Sequence, residues 1–295
     1  MFITILIAIW EINTAQHLSV SGYNETPELI YNIPTTVYTN SNDYATFLSL
    51  SFPFAMFYIL TSKKIQLKFF FIVVSFTIAF LIIFIGSRAN IISIAIAFML
   101  YFILSNKQFK IKTIVFFIIL ILISLISFQE IIKDIIIMVN NNLISIFDSS
   151  ERNMNESNII RINLIYNSID FLLQTYGFGV GAGNAEIWME KYASNNTFNV
   201  TNPHNWWIEL LVNYGIIIFI FYVIIYFRIL YQLLLIFMNS QYIDQKEISK
   251  VLLVSLFTFL FASVSSSSVM AFIPQWILLI MSITFINLVK LSKVK

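Results

Sequence analysis

Long apolar runs that hold almost no charge constrain this chain more than any other feature. Seven such runs lie at 44–60, 69–85, 89–104, 113–128, 206–227, 251–271 and 275–289. A helix needs about 20 apolar residues to cross the hydrocarbon core of a bilayer. The runs therefore predict an all-α polytopic membrane protein.

An eighth apolar run, at 1–10, stops at Glu11. At about 1.5 Å per residue it reaches only half the membrane thickness, and it lacks the basic start of a signal peptide. We expect an incomplete first span, from a fragment or a misassigned start. Counting this run, the fold class is a bundle of about seven or eight transmembrane helices with one large, partly helical extracytoplasmic loop.

Composition excludes several classes of function. With 59% hydrophobic and 11% charged residues, the chain is too apolar for a soluble globular domain, in which about 25% of residues are charged. It has no basic surface for a nucleic acid. It has no cysteine, its two histidines lie far apart in sequence, and it lacks an Asp-x-Asp motif. We therefore expect neither a metal site nor a cofactor.

Basic residues predict the orientation, because short cytoplasmic loops hold the excess of lysine and arginine. If the segment after residue 60 is cytoplasmic, strict alternation places 12 of the 17 basic residues inside. This predicts a multi-pass protein of the cytoplasmic membrane with both termini cytoplasmic. Three units follow: N-terminal spans at 1–128 with an outer loop at 13–43, a large extracytoplasmic loop at 129–205, and C-terminal spans at 206–295.

The large loop contains a helical pattern that starts near residue 157 and is stopped by Gly177. Arg161 projects from this helix on the side opposite a polar stripe. An arginine there pairs with an acidic neighbour or meets an anion. The run "GFGVGAGN" follows, and it is either a close-packed turn or a set of exposed amides that bind an anionic ligand. In the second interpretation Gly181 and Gly183 contact substrate.

The segment "TNPHNWWIELLVNYG" places His204 and Asn205 directly before two tryptophans and an apolar run. Glu209 lies one turn later, where an acid is expected as a partner of His204. His204 is alternatively an interfacial residue beside a tryptophan belt. Arg88 is alternatively a residue that extends from its helix end to the outer interface.

Several motifs in one order resemble the bacterial O-antigen ligase and O-antigen polymerase superfamily. They are "NSNDYATFL", "GSRANIISIAIA", the arginine helix with "YGFGVGAGN", and "PHNWWIELLVNYG". The stretches "HLSVSGYNE" and "IPTTVYTNSNDYATFL" look more like the teichuronic-acid or capsular polysaccharide polymerases of that superfamily. The resemblance implies a membrane-embedded glycosyltransferase whose functional positions fall on Arg88, Arg161 and His204.

The resemblance also implies the substrates: an undecaprenyl-diphosphate-linked glycan donor and a glycan acceptor, in the lipid bilayer. A guanidinium suits a diphosphate leaving group, and an imidazole suits the proton of the attacking hydroxyl. We therefore expect Arg88, Arg161 and His204 to be catalytic, and Asn205, Gly181, Gly183 and Glu209 to bind substrate. A flippase and a chain-length regulator of the same pathway are candidate partners.

Polymerase is the preferred function over two alternatives. One is an O-antigen ligase that transfers glycan to lipid A core or protein. The other is a transporter or flippase of lipid-linked saccharides. Transporters tend to show internal repeats and ionisable residues near the middle of the membrane. This chain shows no repeat, and nearly all of its charges lie at the ends of the predicted spans.

Overall fold

The computed structural model describes residues 1–25, 32–105, 156–266, 269 and 271–292, and the regular secondary structure of this part of the chain is helical, without a strand. Its helices in chain order are α1 Phe2–Thr14, α2 Ser41–Thr61, α3 Ile65–Ile85, α4 Arg88–Ile103, α5 Glu156–Gln174, α6 Ala185–Tyr192, α7 Trp206–Asn239, α8 Ile243–Ala262 and α9 Ile273–Ser292. A short 3-10 turn covers Gly22–Glu25.

Four of the described helices, α2, α3, α7 and α9, are long and apolar enough to cross a membrane. The shorter apolar helices are α1 and α4. Large apolar side chains stay exposed along α3, α7 and α9, among them Phe69, Ile217 and Ile280. Soluble proteins rarely expose such continuous apolar surface, so these faces fit contact with lipid. The all-helical membrane fold is confirmed. The count of seven or eight spans stays a prediction, and the run 113–128 lies outside the described residues.

The first apolar run belongs to a helix that extends beyond Glu11. Helix α1 ends at Thr14, and the buried Glu11 carboxylate is hydrogen-bonded through one of its oxygens. Its Oε2 accepts hydrogen bonds from the backbone N–H groups of Thr35, at 2.9 Å, and Thr36, at 2.8 Å. Its Oε1 lies 3.5 Å from Nδ1 of His17. Glu11 thus fastens the segment before α2 to α1.

Helix α8 lies at the centre of the bundle and packs against α2, α4, α7 and α9. The sequence predicted this span at 251–271, but the helix begins at Ile243 and ends at Ala262. The shift toward the N-terminus brings Lys250 into the protein. Its Nζ lies 2.7 Å from a Glu247 carboxylate oxygen and 4.8 Å from the centre of the Tyr101 ring. Both contacts offset the cost of burying the charge.

One end of the bundle gathers the start of α2, the turn between α3 and α4, the start of α7 and the end of α8. Thr46 donates from Oγ1 to the carbonyl of Ala262 at 3.3 Å, and Ser49 donates from Oγ to Asn90 at 2.9 Å. We call this the polar end. The opposite end holds the turns after α2 and α7, with their lysines.

Helices α5 and α6 form a small subdomain on the first turns of α7. Its core consists of Leu164, Phe171, Val180, Ala185, Met189 and Val212. The polar stripe of α5 binds the loop after α6, since the side chain of Asn167 accepts from the backbone N–H of Asn195 at 2.9 Å. Arg161 therefore lies on the other face of α5.

Helix α7 bends at Gly215, whose backbone is not helical, with φ of 80° and ψ of 172°. The glycine-rich turn packs directly into this bend. A Cβ on Gly215 would lie 2.5 Å from the carbonyl oxygen of Gly177, and one on Gly179 would lie 2.6 Å from the backbone N of Gly215. The two segments touch through their backbones, which only glycine permits here.

Alanine at Gly215 is expected to destabilise the protein much more than alanine at Gly183. Both positions have a positive φ, but a Cβ on Gly183 would meet no atom within 4 Å. Gly183→Ala should therefore cost about 1–2 kcal/mol of backbone strain, and Gly215→Ala about 1–3 kcal/mol more from the clash. Thermal unfolding in detergent measures the difference. Equal unfolding temperatures for the two variants would contradict this packing.

Candidate active site

Arg88 is the first residue of α4, immediately after the tight turn that joins α3 to α4. Gly86 ends α3 in the left-handed conformation, with φ of 74°. The first turn of α4 contains no acidic residue, so the Arg88 cation lies against the positive end of the helix dipole. That placement is unfavourable by itself. An anion beside Arg88 would make it favourable.

Asn90 anchors the first turn of α4 and is completely buried. Its Oδ1 accepts from Ser49 at 2.9 Å, and its Nδ2 donates to Ser87 at 2.9 Å and to Thr46 at 3.3 Å. Sequence reasoning did not single out Asn90. Its one signal was a buried amide two residues after the arginine, in an otherwise apolar helix.

Arg161 extends from α5 toward Arg88. Burial lowers the pKa of the Arg161 guanidinium, and the positive charge of Arg88 lowers it further. The guanidinium stays protonated at pH 7, since arginine is effectively always charged. Within the described ranges no carboxylate lies within 4.0 Å of Arg161. The alternative of a structural ion pair therefore finds no support in this part of the chain.

His204 is held in an uncommon backbone conformation, with φ of 47°. The backbone N–H of His204 donates to Oδ1 of Asn202 at 2.8 Å. The side-chain amide of Asn202 in turn donates to Oε1 of Glu186 at 2.6 Å. Burial, and next the charge of Arg161, lower the pKa of His204 from 6.5 to about 4. At neutral pH the imidazole is therefore uncharged and able to accept a proton.

The structure thus brings together three side chains that the sequence proposed as a site. The positive charge of Arg88 lowers the pKa of Arg161, and the positive charge of Arg161 lowers the pKa of His204. All three are partly exposed, so a ligand can reach them. Two guanidiniums that share a partly desolvated space repel each other. The cluster is consequently suited to a doubly or triply charged anion beside a neutral base.

Asn205 has a structural task in this arrangement. It is the N-cap of α7, and its Oδ1 accepts from the backbone N–H groups of Trp207, at 3.1 Å, and Ile208, at 3.2 Å. These bonds satisfy the free donors of the helix start. They also fix the direction in which the backbone continues from His204 into α7.

Glu209 is buried and binds the segment that follows α8. Its Oε1 accepts from the backbone N–H of Val269 at 3.1 Å. It thereby joins the first turn of α7 to the segment between α8 and α9. A substrate role for Glu209 stays a prediction.

The two glycines proposed to contact substrate differ in their surroundings. The N–H of Gly181 donates to the carbonyl of Asn213 at 3.0 Å, so this amide is used within the fold. Gly183 borders open space. Among the described residues, no group of three or more histidine, cysteine, aspartate or glutamate side chains is placed to hold a metal ion.

Comparisons with known proteins identify the family of this chain. A family model described as O-antigen ligase matches residues 70–223, a stretch that includes Arg88, Arg161 and His204. The teichuronic acid biosynthesis protein TuaE of Bacillus subtilis (strain 168) is 31% identical over 300 residues. That alignment covers 98% of this chain but 59% of TuaE, so the chain spans about three fifths of that relative. Since the family model matches more than half of the chain, the protein belongs to the O-antigen ligase family.

Proposed function

We propose that this protein is a membrane polysaccharide polymerase. It joins undecaprenyl-diphosphate-linked oligosaccharide repeat units into a cell-surface polysaccharide at the outer face of the cytoplasmic membrane. The observation that carries the proposal is the cluster of two guanidiniums and a neutral imidazole at the polar end of the bundle. The chain's family and the printed name of TuaE support polysaccharide assembly as its setting.

In the proposed reaction, a hydroxyl oxygen of the acceptor glycan attacks the anomeric carbon of the donor. The bond from that carbon to the diphosphate oxygen breaks, and undecaprenyl diphosphate leaves with the electron pair. Arg88 and Arg161 stabilise the charge that grows on the leaving group. His204 takes the proton of the hydroxyl. The two arginines supply the positive charge, so the transfer is metal-independent and needs no cofactor. Direct displacement inverts the anomeric configuration.

Donor binding also prepares the base. A group with a pKa near 4 accepts a proton poorly at pH 7, because base catalysis is most effective when the pKa lies near the working pH. The pKa of His204 is low through burial and through Arg161. A diphosphate at Arg161 offsets that positive charge and favours the imidazolium form. His204 therefore becomes a stronger base when the donor is in place.

The arrangement of charge supports an outer location for the cluster. Arg88 and His204 belong to the polar end, whereas Lys63, Lys64 and Lys246 lie by the turns at the opposite end. Lysine-rich turns mark the cytoplasmic side. These positions support an extracytoplasmic cluster, to which the loop 129–205 contributes Arg161. Both termini are then cytoplasmic.

A groove between α2 and α9 offers space for the lipid part of the donor. It has a volume of about 520 Å³, and its lining includes Tyr38 and Ala271, which precede α2 and α9. It continues along α2 past Phe47 and Leu50 to Phe54. Apart from the hydroxyls of Tyr38 and Ser51, its lining is apolar. A groove of this kind between two membrane helices suits a prenyl chain whose diphosphate lies at the polar end.

Two alternatives remain for the same site. A ligase would use the same donor and transfer glycan to lipid A core or protein. A flippase would move the lipid-linked saccharide without making a bond. Vesicles that contain the purified protein and lipid-linked repeat units distinguish them. A polymerase makes longer chains and releases undecaprenyl diphosphate, whereas a flippase leaves the chain length unchanged. A flippase and a chain-length regulator are proposed partners of the polymerase.

Replacement of the clustered residues is expected to stop polymer growth. Arg88→Lys and Arg161→Lys keep the charge but lose the planar fork that matches phosphate oxygens, and His204→Gln removes the base. We expect each to lower the rate of chain extension by roughly 10²-fold or more. The assay scores polymer length at matched protein level. Arg228→Lys, an exposed arginine of α7 away from the polar end, is the control. Near-normal extension by all three variants would refute the proposed roles.

Filling the groove is expected to weaken donor binding. Ala271→Trp places a large ring in the lining of the groove, and Ile283→Trp on the exposed side of α9 is the control. We expect Ala271→Trp to raise the KM for the long-chain donor several-fold, with a smaller change in kcat. A donor with a short prenyl chain should show little effect of the substitution. Equal KM values for the variant and the control would exclude the groove as the lipid site.

A further inference from the structure

Three serines follow α8 in the stretch 263–266, and each contacts a different helix of the bundle. Ser263, Ser265 and Ser266 are all buried, with exposed fractions of 0%, 3% and 0%. A buried hydroxyl costs free energy unless it is hydrogen-bonded, so alanine would pack these positions more favourably if close packing were their only task. The stretch is called the serine segment below.

Ser263 holds the start of α7. Its carbonyl accepts from the backbone N–H of Trp206 at 3.0 Å, and its Oγ accepts from the indole Nε1 of Trp207 at 2.8 Å. Its own hydroxyl donates a hydrogen bond to the carbonyl of Phe259 at 2.5 Å. Trp206 and Trp207 come directly after His204 and Asn205 in the chain. Ser263 therefore fixes the point at which His204 is held.

Ser265 reaches the start of α4. Its Oγ lies 3.4 Å from Oγ of Ser87, the N-cap of α4 directly before Arg88, and 3.4 Å from Nδ2 of Asn90, two residues after Arg88. Ser266 reaches α2, because its hydroxyl donates to Oδ1 of the buried Asp43 at 2.7 Å. The same short segment thus contacts the helix that presents Arg88 and the helix against which α4 packs.

We propose that the serine segment is a positioning element that sets the separation between Arg88 and His204. The two residues belong to α4 and to the start of α7, which are far apart in sequence. The segment is bonded to both, and Glu209 adds a further bond from α7 to Val269, at 3.1 Å. This inference rests on the proposed function, since the separation matters only if both side chains act on one substrate.

Loss of these bonds should affect catalysis more than binding. A displacement of about 1 Å between reacting groups lowers a rate by up to about 10²-fold, whereas each side chain still reaches the donor. We expect Ser263→Ala to lower kcat about tenfold or more and to leave KM within about twofold. Trp207→Phe removes the indole N–H that Ser263 accepts and keeps an aromatic ring, so it should have a similar effect.

The decisive experiment is a double-mutant cycle on Ser263→Ala and Trp207→Phe. The two effects on kcat should not multiply in the double variant, because both substitutions remove the same bond. Ser263→Thr, which keeps the hydroxyl, should recover most of the rate. Ser282→Ala is the matched control, since Ser282 is also buried but its hydroxyl donates to Leu278 within the same helix. It should leave kcat unchanged.

Thermal unfolding in detergent separates positioning from general damage. Variants that unfold at the temperature of Ser282→Ala and still lose kcat support the inference. Wild-type kcat in Ser263→Ala and Trp207→Phe, or losses that multiply in the double variant, overturn it. If the wild-type protein forms no glycosidic bond, the proposed function fails instead. If Arg88→Lys and His204→Gln abolish transfer while the cycle shows no loss, only the positioning inference fails.

Discussion

The repulsion between Arg88 and Arg161 is the interaction on which the proposed function depends. The two cations share a partly desolvated space, and a neutral imidazole lies beside them. An anion bound beside both guanidiniums offsets their mutual repulsion. A diphosphate has the required charge and is also a good leaving group. The proposed catalytic chemistry follows from this balance, with His204 gaining basicity as the donor arrives.

The fold supplies the rigidity that this repulsion requires. Asn90 and its hydroxyl partners fix the start of α4, the bend at Gly215 receives the glycine-rich turn, and the serine segment joins α8 to the start of α7. These polar contacts lie in apolar surroundings, where hydrogen bonds are stronger than in water and unpaired groups are costly. The apolar faces of α3, α7 and α9 are left for lipid. The helices thereby hold the proposed anion site at one end of a bundle with lipid-compatible faces.

The sequence predicted much of the fold from simple length and charge rules, and α2, α3 and α9 lie close to the predicted runs. It did not anticipate how two charges become buried. Glu11, at which the first apolar run stops, lies inside α1 and accepts hydrogen bonds from the backbone N–H groups of Thr35 and Thr36. Lys250, placed just before a predicted span, lies inside α8 beside Glu247. The three central residues of the proposed site were predicted from motif order. Asn90 and the serine segment were not, because their roles depend on contacts between residues far apart in sequence.

A pH titration of the histidine side chains by NMR is the most direct test of whether Arg161 and His204 belong to one anion-binding site. The chain has two histidines, so the His204→Gln variant assigns the signal of His204. The account predicts that His204 titrates near pH 4, that Arg161→Gln raises its pKa, and that added inorganic diphosphate raises it in the wild type but not in the Arg161→Gln variant. A His204 pKa near 6.5 that responds to neither change would contradict the account.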